Sequence, residues 1–125
     1  MDKISLAKNG EDKATSFLRA NGYRILERNY RSKFGEIDII AKDKDYICFI
    51  EVKTRSSSNF GLPQDSVIKR KIRHISRAAL DYLKRNNLLN LPARFDVVSI
   101  LDNQADKDNI ELIKDAFCLD NKYIY

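Results

Sequence analysis

Gly35-Glu36-Ile37-Asp38-Ile39-Ile40-Ala41-Lys42-Asp43-Lys44-Asp45-Tyr46-Ile47-Cys48-Phe49-Ile50-Glu51-Val52-Lys53 reads as two apolar β-strands joined by a polar turn. Asp38 and Glu51 lie inside those apolar runs. A strand that hides Ile, Cys, Phe and Val carries charge there only for a reason, because an unpaired buried carboxylate is costly. Alternation places Glu36, Asp38 and Ile40 on one face of the first strand, and Ile47, Phe49, Glu51 and Lys53 on one face of the second. A two-residue loop at Lys44-Asp45 sets Asp38 directly opposite Glu51, with β-carbons about 5 Å apart. A loop at Asp43-Lys44 makes the pair diagonal on the same face, whereas a three-residue loop separates them. Two adjacent carboxylates repel unless a cation sits between them, and Asp and Glu oxygens suit Mg²⁺ or Mn²⁺. Lys53, two residues past Glu51, is placed to orient a water or to stabilise charge on a phosphate. A solvated edge hairpin is the plainer alternative.

Outward from the hairpin, residues 3–21 read as a helix, with Ala7, Gly10, Ala14, Phe17 and Leu18 at helical spacing and Asn21-Gly22 as the stop. Glu11 edges onto the core-facing stripe of that helix, where it either joins the metal site or turns its head to water. Tyr23–Tyr30 reads as a first strand, Glu36–Ala41 as a second and Tyr46–Lys53 as a third. Thr54–Gln64, with Ser56-Ser57-Ser58-Asn59, Gly61 and Pro63, reads as a mobile loop. A long helix follows from Asp65 to Arg85, with Ile68, Ile72, Ile75, Ala79 and Tyr82-Leu83 as its apolar stripe. Arg94–Leu101 gives a fourth strand, and Ile110–Phe117 a fifth or an extended segment. A crossover helix between the third and fourth strands requires them to be parallel. The fold class is α/β (α+β), a mixed central sheet flanked by helices, in one domain over residues 1–125.

Charge is distributed unevenly. The chain carries +5 overall, yet residues 69–85 alone sum to +6, so the basic character belongs to one helix. Such asymmetry points to a polyanionic partner. Lys69, Arg70, Arg73, Arg77 and Lys84 recur at spacings that line one solvent-facing side, suited to sequence-independent phosphate contacts. Lys71 sits nearer the apolar stripe and is placed to point toward the active face. Arg31, Lys33 and Arg55 flank the hairpin and widen the track. His74, the single histidine, reads as an exposed helix residue. No run approaches the roughly 18 apolar residues of a membrane span, and the first residues have no apolar signal core. Cys48 and Cys118 match no metal spacing and read as small hydrophobes in a reducing, cytoplasmic setting. No nucleophilic Ser or Cys arrangement and no Gly-rich phosphate loop is present.

Gly10-Glu11 with Ala14, Gly35-Glu36-Ile37-Asp38, Phe49-Ile50-Glu51-Val52-Lys53-Thr54-Arg55, Phe60-Gly61, Arg94-Phe95-Asp96-Val97-Val98 and Lys114-Asp115-Ala116-Phe117 together resemble the YraN-like family of small bacterial proteins. The resemblance spans nearly the whole chain. It implies a restriction-endonuclease-like fold of the PD-(D/E)xK superfamily, distantly similar to archaeal Holliday junction resolvases. By that similarity Asp38 and Glu51 are the metal-binding acids, Lys53 the catalytic lysine, and Glu11 the helix-borne acid. Ile37 stands before Asp38 where many superfamily members carry Pro.

These readings converge on a metal-dependent endonuclease that hydrolyses phosphodiester bonds in DNA, with branched or repair intermediates as a substrate class. Its catalytic set is Glu11, Asp38, Glu51 and Lys53, and its cofactor Mg²⁺ or Mn²⁺. Its DNA-binding set is Arg55, Lys69, Arg70, Lys71, Arg73 and Arg77. A homodimer is compatible with action on two strands. The alternatives are a nucleic-acid-binding protein that keeps the nuclease fold without turnover, and an adaptor whose basic helix meets an acidic protein.

Overall fold

Gly22 ends the first helix, α1 (Lys3–Ala20), by taking φ 88, a left-handed conformation that glycine adopts without penalty. The Tyr23 N–H donates to Leu18 O at 3.0 Å and the Gly22 N–H to Arg19 O at 3.1 Å, closing the last turn with both orphan carbonyls satisfied. The second helix, α2 (Lys69–Arg85), ends the same way, with Asn87 at φ 56 in the left-handed position and the Leu88 N–H donating to Leu83 O at 2.8 Å. In this computed structural model the described residues are 3–55, 69–101 and 109–117. The expectations placed on 56–68 and on Cys118 lie outside them.

Five strands follow the expected order: β1 (Arg24–Ser32), β2 (Gly35–Asp43), β3 (Tyr46–Arg55), β4 (Ala93–Leu101) and β5 (Asn109–Phe117). They form one sheet in sequence order, with β3 and β4 parallel and the other neighbours antiparallel. The α-β-β-β-α-β-β succession and the mixed sheet give an α+β, restriction-endonuclease-like architecture. The fifth segment is a true strand. Of the loops open to the hairpin, the two-residue one is observed, because Lys42 and Asp43 pair with Ile47 and Tyr46 and leave Lys44-Asp45 as the loop. Lys44 takes φ 55 there, as a tight hairpin loop demands.

Each helix covers one face. On the α1 side Ala14, Leu18 and Tyr23 pack with Ile39, Ala41, Cys48, Ile50, Val98 and Ile100. On the α2 side Ile75, Ala78, Ala79, Tyr82 and Leu83 pack with Ile40, Ile47, Phe49 and Phe95. β3 alternates cleanly between the two cores, as a strand buried on both faces must. α1 lies tight against it, because a Cβ added at Gly10 would run into Thr54 Oγ1.

Strict alternation fails in β1 and β2 at one level. Ile37 belongs to the α2-side core and Ile39 to the α1-side core, although they are two residues apart. Likewise Arg28 reaches α1, donating to Asp12 Oδ1 at 2.7 Å, while Tyr30 reaches α2, donating to Asp81 Oδ2 at 2.6 Å. Arg28 pairs with Ile39 and Tyr30 with Ile37, so the level between them holds Asn29 and Asp38. Asn29 sits at φ 53. A left-handed residue inside a strand turns the side chains that follow to the opposite face, and β2 turns with it. Asp38 therefore stands where the strand changes faces, not in the uniform row with Glu36 and Ile40 that alternation implied.

Candidate active site

The β2–β3 ladder runs from Asp43–Tyr46 to Ile39–Ile50, and the next step in that register holds Asp38 and Glu51. The two-residue loop sets this register, so the two acids lie one step beyond its last pair, with Asp38 at the point where β2 changes faces. Asp38 is half-buried, and its Oδ2 accepts the Val52 N–H at 2.8 Å, so the carboxylate bridges to the neighbouring strand just past the last ladder pair. Glu51 faces the α2 side and is only 6% exposed.

Two ammonium groups meet Glu51. Lys53 Nζ lies 3.6 Å from Glu51 Oε1, as its position two residues along the same face dictates. Lys71 Nζ donates to the same oxygen. Lys71 precedes Ile75, Ala78 and Tyr82 at helical intervals, so it continues the buried stripe of α2 to the point where the stripe meets Glu51. The basic helix thus supplies one lysine to the acids and turns Arg70 and Arg73 to solvent.

Burial raises the Asp38 carboxyl to about 7, and the nearby charges of Glu51 and Glu11 push the same way, against the Val52 N–H and Lys71. Burial also pulls the Lys53 ammonium below its ordinary range, with Glu51 opposing and Lys71 reinforcing the shift. Lys71 is lowered by burial but raised further by its hydrogen bond and charge contact with Glu51, so it stays firmly protonated. The acids thus lie in a poorly hydrated spot that calls for positive charge.

Glu11 reaches the same neighbourhood from α1 without completing a triad. With its amide turned to donate, Asn29 Nδ2 lies 3.0 and 3.1 Å from the two Glu11 carboxylate oxygens. Among the described residues no group of three or more His, Cys, Asp or Glu side chains converges at metal-holding distance. Asp38 and Glu51 are the two carboxylates that could hold a metal ion here. That fits Mg²⁺ or Mn²⁺, which keep several positions for water and phosphate oxygens. The Lys71 ammonium on Glu51 stands in for a cation at this place.

Among the other expected residues, Arg55 ends β3 on the side of Glu51 and Lys53 by alternation, and Arg77 is half-buried on α2. Lys69 opens the described part of α2, but its side chain lies outside the described residues. His74 is exposed, as expected, and its Cβ would lie 3.2 Å from a Cβ placed on Gly35. Cys48 is fully buried, and burial pushes its thiol up to about 12, so it is an inert part of the core. Asn29 could not be foreseen, because its left-handed backbone has no compositional signature beyond the tolerance of Asn for that region.

The Uncharacterised protein family UPF0102, the YraN-like group, matches residues 10–100, which include both acids, both lysines and the RFDV strand. The chain belongs to this family. A UPF0102 protein of Persephonella marina is 48% identical over 113 residues, covering 90% of this chain and 93% of its own length. One from Geotalea uraniireducens is 51% identical over 116 residues, covering 93% and 91%. One from Caldicellulosiruptor saccharolyticus is 46% identical over 118 residues, covering 94% and 100%. Among the described residues of this UPF0102 protein no helix is long and apolar enough to cross a membrane.

Proposed function

We propose that this UPF0102 protein is a metal-dependent endonuclease that hydrolyses phosphodiester bonds in DNA, branched or repair intermediates included. The observation that carries the reading is the nearness of the Asp38 and Glu51 carboxylates, one step past the last β2–β3 ladder pair, with Lys53 Nζ 3.6 Å from Glu51 Oε1. Asp38 and Glu51 would hold Mg²⁺ or Mn²⁺, which when bound supplies Lewis-acid and water-activating chemistry. The protein's own groups do the rest. The Val52 N–H fixes the Asp38 carboxylate in one orientation. Lys53, held against the sheet and poorly hydrated, presents its ammonium to the attacking water or to the charge growing on the phosphate. Exposed Arg70 and Arg73, one turn apart on α2, would hold the nucleic-acid backbone. Glu11, held by Asn29, would add its negative charge beside Asp38.

Cleavage of branched, flapped and single-stranded DNA in Mg²⁺ or Mn²⁺ tests the reading. Asp38→Asn and Glu51→Gln should each lower the rate at least about a hundredfold, and unchanged rates would overturn it. The Lys71–Glu51 ion pair favours a second reading, because it satisfies the buried acid with no metal. In that reading the protein binds nucleic acid without turnover, and its binding is indifferent to EDTA and to both substitutions.

A further inference from the structure

Lys71 is a basic residue of α2 whose observed contact lies with an acid and not with the exposed phosphate track. It sits on the buried stripe of the helix, not on the Arg70–Arg73 side, and its ammonium meets the acid that the nuclease reading assigns to the metal. Lys53 already lies 3.6 Å from the same oxygen. A carboxylate that is 6% exposed and flanked by one lysine has little need of a second unless the second is meant to leave. The two lysines differ in freedom. The Lys53 side chain is 24% exposed and fixed to the central strand, whereas that of Lys71 is 40% exposed on a helix at the mouth of the site.

We propose that Lys71 is an exchangeable counter-cation: it holds Glu51 Oε1 until a divalent cation takes that oxygen, and then swings outward to a nucleic-acid phosphate. The inference rests on the nuclease reading and deepens it. No bond is made or broken; one cation replaces another on a carboxylate oxygen. The released ammonium is one helical turn or less from Arg70 and Arg73 and so joins a phosphate-binding surface already there. Metal binding and nucleic-acid binding then favour each other, because each draws on the state in which Lys71 has left Glu51.

Calorimetric titration with Mn²⁺ of the full chain, as wild type, Lys71→Met, Lys53→Met and Glu51→Gln, tests this. Methionine keeps an unbranched stem of similar length at this half-buried position. Exchange predicts that Lys71→Met binds Mn²⁺ about fivefold more tightly than wild type, the scale of a partly exposed ion pair removed from competition. Lys53→Met should gain less. A second measurement follows the Lys71 ammonium by nitrogen-15 spectroscopy, assigned by its loss in Lys71→Met. Saturating Mg²⁺ should move it toward the signal of exposed Lys84. Mn²⁺ binding that depends on Glu51 but is equal or weaker in Lys71→Met, or equally enhanced in Lys53→Met, overturns the exchange alone. So does a Lys71 signal unmoved by saturating Mg²⁺. Mn²⁺ binding that is absent, or unaffected by Glu51→Gln, overturns the nuclease reading and the exchange with it.

Discussion

At the scale of single residues, the most informative group is Asp38. Burial and two neighbouring acids lift its carboxyl to about 7, from 3.8 in an unfolded chain. A raised folded value means that the stability it contributes is fully present below about pH 4 and is lost as pH rises through about 7. Asp38→Asn removes that loss. In EDTA, wild type should therefore fall behind Asp38→Asn as pH goes from 5 to 8, by on the order of 2 kcal/mol once solvent screening of a half-buried group is allowed for. Urea denaturation at both pH values checks it, and a gap that stays constant would contradict it. The unusual placement of Asp38 and Glu51 was legible in the sequence because charge inside an apolar strand is conspicuous. The position of Asp38 at a change of faces was not, because it depends on the φ of Asn29 across the strand pair.

At the scale of elements, the approach of α1 to β3 is set by Gly10. A methyl there would meet Thr54 Oγ1, so Gly10→Ala must push the helix off the sheet or turn Thr54 aside. The expected cost is about 1–3 kcal/mol, and Thr54→Ala in the same chain should restore most of it, since the remaining contacts are ordinary. Urea midpoints of the two single variants and the double variant give the coupling directly. A second element-scale device clasps β4 to its neighbours on the face away from Glu51. Asp96 is 0% exposed and accepts from Tyr23 OH at 3.0 Å, from Arg94 Nε at 2.9 Å and from the Asp115 N–H at 2.9 Å. Arg94 in turn donates to Asp43 Oδ2 at 2.9 Å. Asp96→Ala takes the acceptor from the Tyr23 hydroxyl, the Asp115 N–H and Arg94 Nε, while the guanidinium keeps Asp43, and should cost about 3 kcal/mol. Mn²⁺ affinity of the protein still folded should be unchanged, because Glu51 faces the opposite side. The strands of this clasp could be read from their alternation. The clasp itself could not, since Tyr23, Asp43, Arg94 and Asp115 meet only once the sheet has assembled.

At the scale of the whole molecule, charge and topology combine. The helix holding most of the net positive charge is the same helix that packs on the face carrying Glu51 and Lys53. The uneven charge and the amphipathic stripe were plain in the sequence, and so was the parallel β3–β4 pair that a crossover helix requires. The inward turn of Lys71 was legible as well, from its place beside the apolar stripe, whereas its contact with Glu51 depended on how α2 docks on the sheet. That arrangement separates two kinds of polyanion binding. If Arg70 and Arg73 contact phosphates, each replacement by Gln should lower the slope of log K against log salt by about 0.9, at a similar cost for every DNA sequence. Lys84, at the far end of the same helix, serves as the comparison. Its replacement should leave the slope nearly untouched if binding is centred on the acids, and should lower it equally if the helix is a uniform basic rod. Fluorescence titration of a flapped duplex at four salt concentrations, with Ca²⁺ present, separates the two outcomes. Equal slopes for Arg70→Gln, Arg73→Gln and wild type would remove DNA from this face altogether and leave the basic helix to an acidic protein partner.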